Sequence, residues 1–255
     1  MLYIDQPVQT GFSYDRLVNA TVDETLLPYI VTPLPPSSPI PELNTTFLAG
    51  VFPSQDPLST ANTTSTAALA AWHFMQIWMQ EYAQAPNDGI PAFADTRSHR
   101  FPVYKPKNNK FSIWSESYGG HYGPTFSDFF TKQNRKIEDG SIGSTAVPLR
   151  LDTVGIVNGC IDILTQMPTY PQMAYNNTYG LQVINETEYT NAVNSFPACR
   201  KLVETCRALA DEKDPLGVGN VAEVNKACSD AFGFCFQKMW SGVQERGVSE
   251  PFSLP

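Results

Sequence analysis

The residues with the clearest capacity for chemistry lie in one run, Phe111-Ser112-Ile113-Trp114-Ser115-Glu116-Ser117-Tyr118-Gly119-Gly120-His121-Tyr122. A serine hydroxyl becomes useful for acyl transfer when a sharp strand-to-helix turn pushes it out of the backbone. Such a turn leaves almost no room two residues before and two residues after the serine. Ser117 meets that requirement. Gly119 supplies the permissive backbone on the far side. Ser115 stands on the near side, where the general pattern has glycine, and adds a hydroxymethyl group without branching at Cβ. Phe111 to Trp114 have the apolar lean of a strand leading into the turn. Ser117 is therefore expected to be an acyl-transfer nucleophile.

The elements that must hold this turn are also legible. Leu2 to Asp5 predicts a short buried strand, followed by the turn-rich stretch Gln6 to Tyr14. Pro28 to Pro41 contains six prolines and predicts an extended surface loop. Asn62-Thr63-Thr64-Ser65 offers several N-caps for a long helix. Its apolar positions Leu69, Trp72, Met75, Ile77, Trp78 and Met79 run to about Gln84, with Pro86 and Gly89 beyond. A second loop, rich in Pro, Asn and Lys, leads to the elbow strand. Gly123-Pro124 fits the first turn of a helix ending near Arg135, and Leu151 to Val157 predicts another buried strand. Strand, helix, strand-elbow-helix, strand is the order of a parallel α/β sheet. Beyond residue 160 the composition changes to helical patterns around Glu186–Val193, Ala198–Ala210 and Ala222–Trp240. The expected organisation is a core over 1–160 carrying the elbow and a helical region over 161–255, with no internal repeat.

Composition narrows the function. A net charge of −8 with only 17 Lys and Arg argues against a nucleic-acid partner, which needs basic patches. No apolar run reaches membrane-spanning length, since Ala67 to Met79 is interrupted by His73 and Gln76. Met1 leads straight into Leu-Tyr-Ile-Asp, which reads as a buried strand and not as a basic, apolar, cleavable leader. No cofactor or metal motif is present. Two features nevertheless point to the secretory pathway. N-x-Ser/Thr sequons occur at Asn19, Asn44, Asn62, Asn176 and Asn185. Cys199 and Cys206 are seven apart, as are Cys228 and Cys235, so each pair shares one helix face two turns apart. Two such helices packed antiparallel would join Cys199 to Cys235 and Cys206 to Cys228. Four cysteines allow three connectivities, and free buried thiols are the alternative.

Several segments together resemble the serine carboxypeptidases of the α/β-hydrolase fold. Leu2-Tyr3-Ile4-Asp5-Gln6-Pro7-Val8 with Thr10-Gly11-Phe12-Ser13-Tyr14 is similar to that family's strand-and-turn signature. Glu116 to Tyr122 is similar to its nucleophile motif, and Val157-Asn158-Gly159 to the strand end that follows. The paired cysteine spacings resemble its disulfide-stapled helical insertion. The resemblance implies a partial α/β-hydrolase sheet with a stapled cap, and hydrolysis of C-terminal residues from peptides by attack of Ser117. It implies that the Tyr118 N–H is one oxyanion donor. Glu116 would recognise the substrate's terminal carboxylate, donating a hydrogen bond when protonated, as in acid. Cys160, Met167 and Tyr170 would line the pocket for the residue before the scissile bond. Cys160 would then be an unpaired, buried wall residue, unless its partner lies in sequence outside this chain.

The general base is missing from this pattern. In this fold the triad runs Ser, Asp, His, and the only histidine after Ser117 is His121. It lies four residues on, and in the family it belongs to the structural signature. His73 falls mid-helix and His99 in a polar loop, both before the serine, and Asp162 suits turn chemistry. The family's Gly-rich oxyanion loop and its last strands are also absent. The expectation is a fragment lacking both ends, inactive alone, bound for secretion or an acidic organelle. Two rival readings stay open: an esterase or acyltransferase on the same scaffold, and a non-catalytic secreted glycoprotein.

Overall fold

A computed structural model describes residues 1–27, 29–84, 110–143 and 145–240. These fall into two compact units, one of Met1–Asn109 with Phe129–Leu149 and one of Lys110–Asp128 with Arg150–Pro255. The architecture is mixed helix and strand, and no described helix is long and apolar enough to cross a membrane.

The first unit contains a three-stranded antiparallel sheet that was not anticipated. Strands β1 (Leu17–Asp23), β2 (Ile30–Pro33) and β3 (Phe47–Pro53) pair in the order β2-β1-β3. The proline-rich stretch is thus not all loop. Ile30-Val31-Thr32 has the β-branched character that suits a pleated surface, and Pro33 is tolerated because β2 lies at the sheet edge. The Asn44 side chain closes the turn before β3, its Oδ1 accepting from the Thr46 and Phe47 N–H groups. By contrast, Leu2–Asp5 forms no strand. It pairs with no described strand, and a strand without a ladder partner is only an extended chain.

Helix α1 (Thr64–Gln84) ends where the sequence places it. Thr63 opens it, with the Thr63 and Thr66 hydroxyls each accepting from the other residue's N–H. Trp72 and Met75 are buried, whereas Leu69 and Ile77 are exposed. Buried Gln76 is satisfied by a reciprocal pair with Val147, its Nε2 donating at 2.7 Å and its Oε1 accepting at 2.8 Å. The predicted breakers Pro86 and Gly89, the loop before the elbow strand and His99 lie outside the described residues.

The second unit holds a parallel pair, β4 (Lys110–Glu116) and β5 (Arg150–Val157), with Glu116 opposite Val157 at its end. Helix α2 (Gly119–Glu138) follows β4 after only two residues. It begins four residues earlier than Gly123-Pro124 suggested, because the elbow feeds straight into helical backbone and leaves Pro124 inside it. Short helices α3 (Ile163–Gln166) and α4 (Thr169–Tyr175) lead to the long hairpin of α5 (Glu186–Lys213) and α6 (Ala222–Met239). Asn185 and Glu188 form a reciprocal capping box on α5.

The two helical patterns predicted over 186–210 are one helix running through Pro197. An internal proline costs roughly 3 kcal/mol. The later turns are held despite it by the buried face at Cys199 and Val203 and by two bridges to α6. These bridges are the nested ones, Cys199–Cys235 and Cys206–Cys228, with Cα atoms 5.0 and 4.9 Å apart. Met167, Tyr170, Val203, Ala231 and Met239 pack around the first bridge as one apolar cluster.

Candidate functional site

Ser117 sits at the C-terminal end of β4 with φ at +57°, a left-handed conformation that costs a non-glycine residue about 1–2 kcal/mol. Three backbone hydrogen bonds hold it there. Its N–H donates to the Val157 carbonyl (3.1 Å), and its own carbonyl accepts from Gly120 N–H (3.0 Å) and Cys160 N–H (2.8 Å). Both parallel strands end the same way, since Asn158 after β5 has φ +45°. Strain concentrated at adjacent strand ends is the pattern of sites where a side chain is aimed rather than packed.

The small residues around the serine are required by contact. A Cβ on Gly119 would lie 2.4 Å from Ser115 Cβ, and one on Gly120 would lie 2.4 Å from the Cys160 carbonyl oxygen. Gly159 faces Gly120 across the turn, its would-be Cβ 3.1 Å from the Gly120 Cα. Ser115, the departure from the glycine pattern, adds a bond of its own: its hydroxyl donates to the Gly119 carbonyl at 2.9 Å. The turn is closed by that hydroxyl as well as by the backbone.

The predicted site residues divide by location. Glu116, Ser117 and Tyr118 are all exposed. The Tyr118 carbonyl accepts from His121 and Tyr122 N–H groups, which starts α2. His121 lies along the first turn of α2 with its ring 4.8 Å from that of Tyr118. Desolvation there lowers its pKa below the usual 6.5, while the nearby Asp162 charge opposes the shift. Asp162 caps α3 by accepting from Thr165 N–H at 2.8 Å, and it also accepts from the Arg207 guanidinium of α5. That hydrogen bond is the main reason its carboxyl is held below 3.8. It is thus engaged in turn and helix contacts.

Cys160 is a free thiol, but it is exposed, which corrects the expectation of a buried wall residue. The chain leaves β5 through a turn at Asn158 and passes over the elbow on the solvent side. Met167 and Tyr170 are instead 8% and 9% exposed, in the cluster beneath the hairpin, with the Tyr170 ring edge-on to Trp240. Burial, and secondarily the charge of Cys160, raises the Tyr170 phenol above 10.0. The five sequon asparagines Asn19, Asn44, Asn62, Asn176 and Asn185 are all exposed. His73 is exposed on α1 with its ring 5.1 Å from that of Trp72.

Three residues around the elbow are not among the expected site residues: Asn158, Arg207 and Gln166. Only Asn158 had a signal, the Asn-Gly dipeptide that favours a left-handed turn.

Comparison with known proteins adds an independent line. The family model described as serine carboxypeptidase matches residues 1–246. Carboxypeptidase S1 homolog A of Arthroderma otae is 45% identical over 245 residues, covering 94% of this chain and 34% of that protein. Carboxypeptidase Y homolog of Arthroderma benhamiae is 42% identical, covering 92% of this chain and 34% of that protein. Carboxypeptidase S1 of Penicillium janthinellum is 25% identical over all 255 residues, which span 42% of it. The chain therefore spans about a third of the length of the first two of these relatives.

Proposed function

We propose, from the premise that this chain belongs to the serine carboxypeptidase family, that it is the nucleophile-bearing part of a peptidase removing C-terminal residues. The observation that carries the reading is the left-handed Ser117, braced by Val157 and Cys160 and followed at once by the start of α2. In the proposed reaction Ser117 Oγ attacks the last peptide carbonyl while its proton passes to a base. The tetrahedral oxyanion accepts from the Tyr118 N–H. Collapse expels the C-terminal amino acid, which takes the proton, and water then hydrolyses the acyl-enzyme. Glu116, exposed beside the nucleophile, would hold the substrate's terminal carboxylate. Cys160, Met167 and Tyr170 would form the wall for the preceding residue.

The base belongs, in this reading, to sequence beyond these 255 residues. His121 is the only histidine after Ser117, and it begins α2 against the Tyr118 ring. The chain alone is therefore inactive. The same extra sequence would complete an α/β-hydrolase sheet, with 1–160 contributing to its core and 161–255 forming the stapled cap. Parallel strands are normally covered on both faces. Here Trp114 on β4 is 72% exposed, and Val154, Ile156 and Val157 on β5 are exposed too. Two disulfides and five exposed sequons support passage through the secretory pathway, to the exterior or an acidic organelle.

The test is a graft. This chain replaces the matched segment of the Arthroderma otae relative, and release of the C-terminal residue from a blocked peptide is followed. Turnover that Ser117→Ala abolishes, with none from the 255-residue chain alone, is the expected result. Turnover by the isolated chain, or a graft indifferent to Ser117→Ala, would overturn the proposal.

A further inference from the structure

We infer that Gln166 is a positioning residue for Ser117: its side chain fixes the loop on which the nucleophile's backbone rests. The inference builds on the reading of Ser117 as nucleophile. Residues 159–162 leave β5 without regular structure, so their polar backbone groups need partners from elsewhere. One side chain supplies three of them. Gln166 Oε1 accepts from the N–H groups of Ile161 (2.7 Å) and Asp162 (3.2 Å), and its Nε2 donates to the Gly159 carbonyl (2.8 Å).

The residue bracketed by these bonds is Cys160, the one that touches the elbow. Its N–H donates to the Ser117 carbonyl at 2.8 Å, and its carbonyl oxygen occupies the space a Gly120 side chain would need. Movement of Cys160 therefore moves a bond that holds Ser117 in its left-handed turn. Apolar packing does not fix this loop, because Cys160 and Ile161 are both exposed. A polar clamp is what remains. An amide suits it by presenting an acceptor and a donor on one planar fork. Gln166 is itself held in place, since its N–H donates to the Asp162 carbonyl in the single turn of α3. A carboxylate there would keep the two accepted bonds and lose the donated one. An aliphatic group would lose all three.

The experiment has two arms. In the first, amide hydrogen exchange is measured on the 255-residue chain as wild type, Gln166→Glu and Gln166→Leu, with both disulfides confirmed. Expected are exchange at the Cys160 and Gly120 amides faster by about 10-fold or more in the Leu variant, and an intermediate value for Glu. Amides of the α5–α6 hairpin should keep wild-type protection. In the second arm the same substitutions enter the graft described above. A nucleophile displaced by about 1 Å can lose about 100-fold in rate. The Leu variant should accordingly lose about 10–100-fold in kcat with KM changed less than about 3-fold, and the Glu variant should recover part of it.

Unchanged exchange at Cys160 and Gly120 in the Leu variant would overturn the inference. So would protection lost equally across β4, β5 and the hairpin, which would make Gln166 a general stabiliser. A Leu variant that does not fold leaves the Glu variant to decide, by the same amides and the same kcat. A wild-type graft without Ser117-dependent turnover defeats the nucleophile reading alone, because the exchange arm still judges the clamp.

Discussion

Ser115 and Gly119 form a steric couple that a double-mutant cycle can expose. The perturbation is Gly119→Ala. Its new methyl group would lie 2.4 Å from Ser115 Cβ and 2.7 Å from Ser115 Oγ. Ordinary carbon contacts are about 3.5–4.0 Å, so the turn must open by more than about 1 Å. Overpacking of this kind costs about 1–3 kcal/mol, although alanine suits the first turn of a helix.

Ser115→Gly on its own loses the hydrogen bond to the Gly119 carbonyl, about 0.5–1.5 kcal/mol. It also places a glycine inside β4, a further cost of about 0.5–1 kcal/mol. Both obstructing atoms belong to Ser115, so the double variant removes the clash. Its stability should match that of Ser115→Gly alone, giving a coupling of about 1–3 kcal/mol. Urea unfolding of the 255-residue chain and both single and double variants, followed by circular dichroism, measures this. If the two single effects simply add within about 0.5 kcal/mol, the proposed tight fit of the elbow is wrong.

Other expectations follow from the same structure. Ser117→Gly should raise stability by about 0.5–1 kcal/mol by relieving the left-handed backbone, whereas Ser117→Ala should not; paired urea midpoints distinguish them. Acidification should weaken the unit holding β4 and β5 on two counts, visible in urea midpoints taken against pH. The Arg207 bond depresses Asp162, so that ion pair stabilises fully above pH 3.8 and is lost as pH falls through the lowered value; Arg207→Met should remove this limb. Burial depresses His121, so below pH 6.5 the unfolded chain takes the proton first and stability declines there as well. Removing Cys206–Cys228 as a pair of alanines should cost about 3 kcal/mol in unfolding free energy. Removing Cys199–Cys235 should cost more, because both of those cysteines are fully buried in the apolar cluster.

The parts of this molecule that were legible in its sequence are those with a local cause. Ser115, Ser117 and Gly119 announce a turn because the turn itself excludes larger neighbours. The seven-residue cysteine spacings announce a helical hairpin because two helical turns bring both sulfurs to one face. What escaped detection depends on distant partners. The apolar residues Leu2 to Ile4 look like a strand, but a strand needs a ladder, and the described residues give it none. The real first sheet, β1 to β3, hid behind a polar Asn19 and the prolines flanking Ile30–Thr32. The expected gap between Val193 and Ala198 is absent because tertiary burial of α5 carries the helix through Pro197. Cys160 lies three residues beyond a buried-looking strand, yet it is exposed after the left-handed Asn158. Arg207 acts through a hydrogen bond to Asp162, distant in the chain, and Gln166 through bonds to the irregular loop just before it; neither leaves a periodicity to read.

The most direct measurement is the site of covalent labelling by a serine-directed organophosphorus reagent in the grafted enzyme, located by peptide mapping. The account predicts a single label on the peptide carrying Ser117, lost in Ser117→Ala together with peptide turnover. A label on any other serine, with turnover surviving Ser117→Ala, would contradict it.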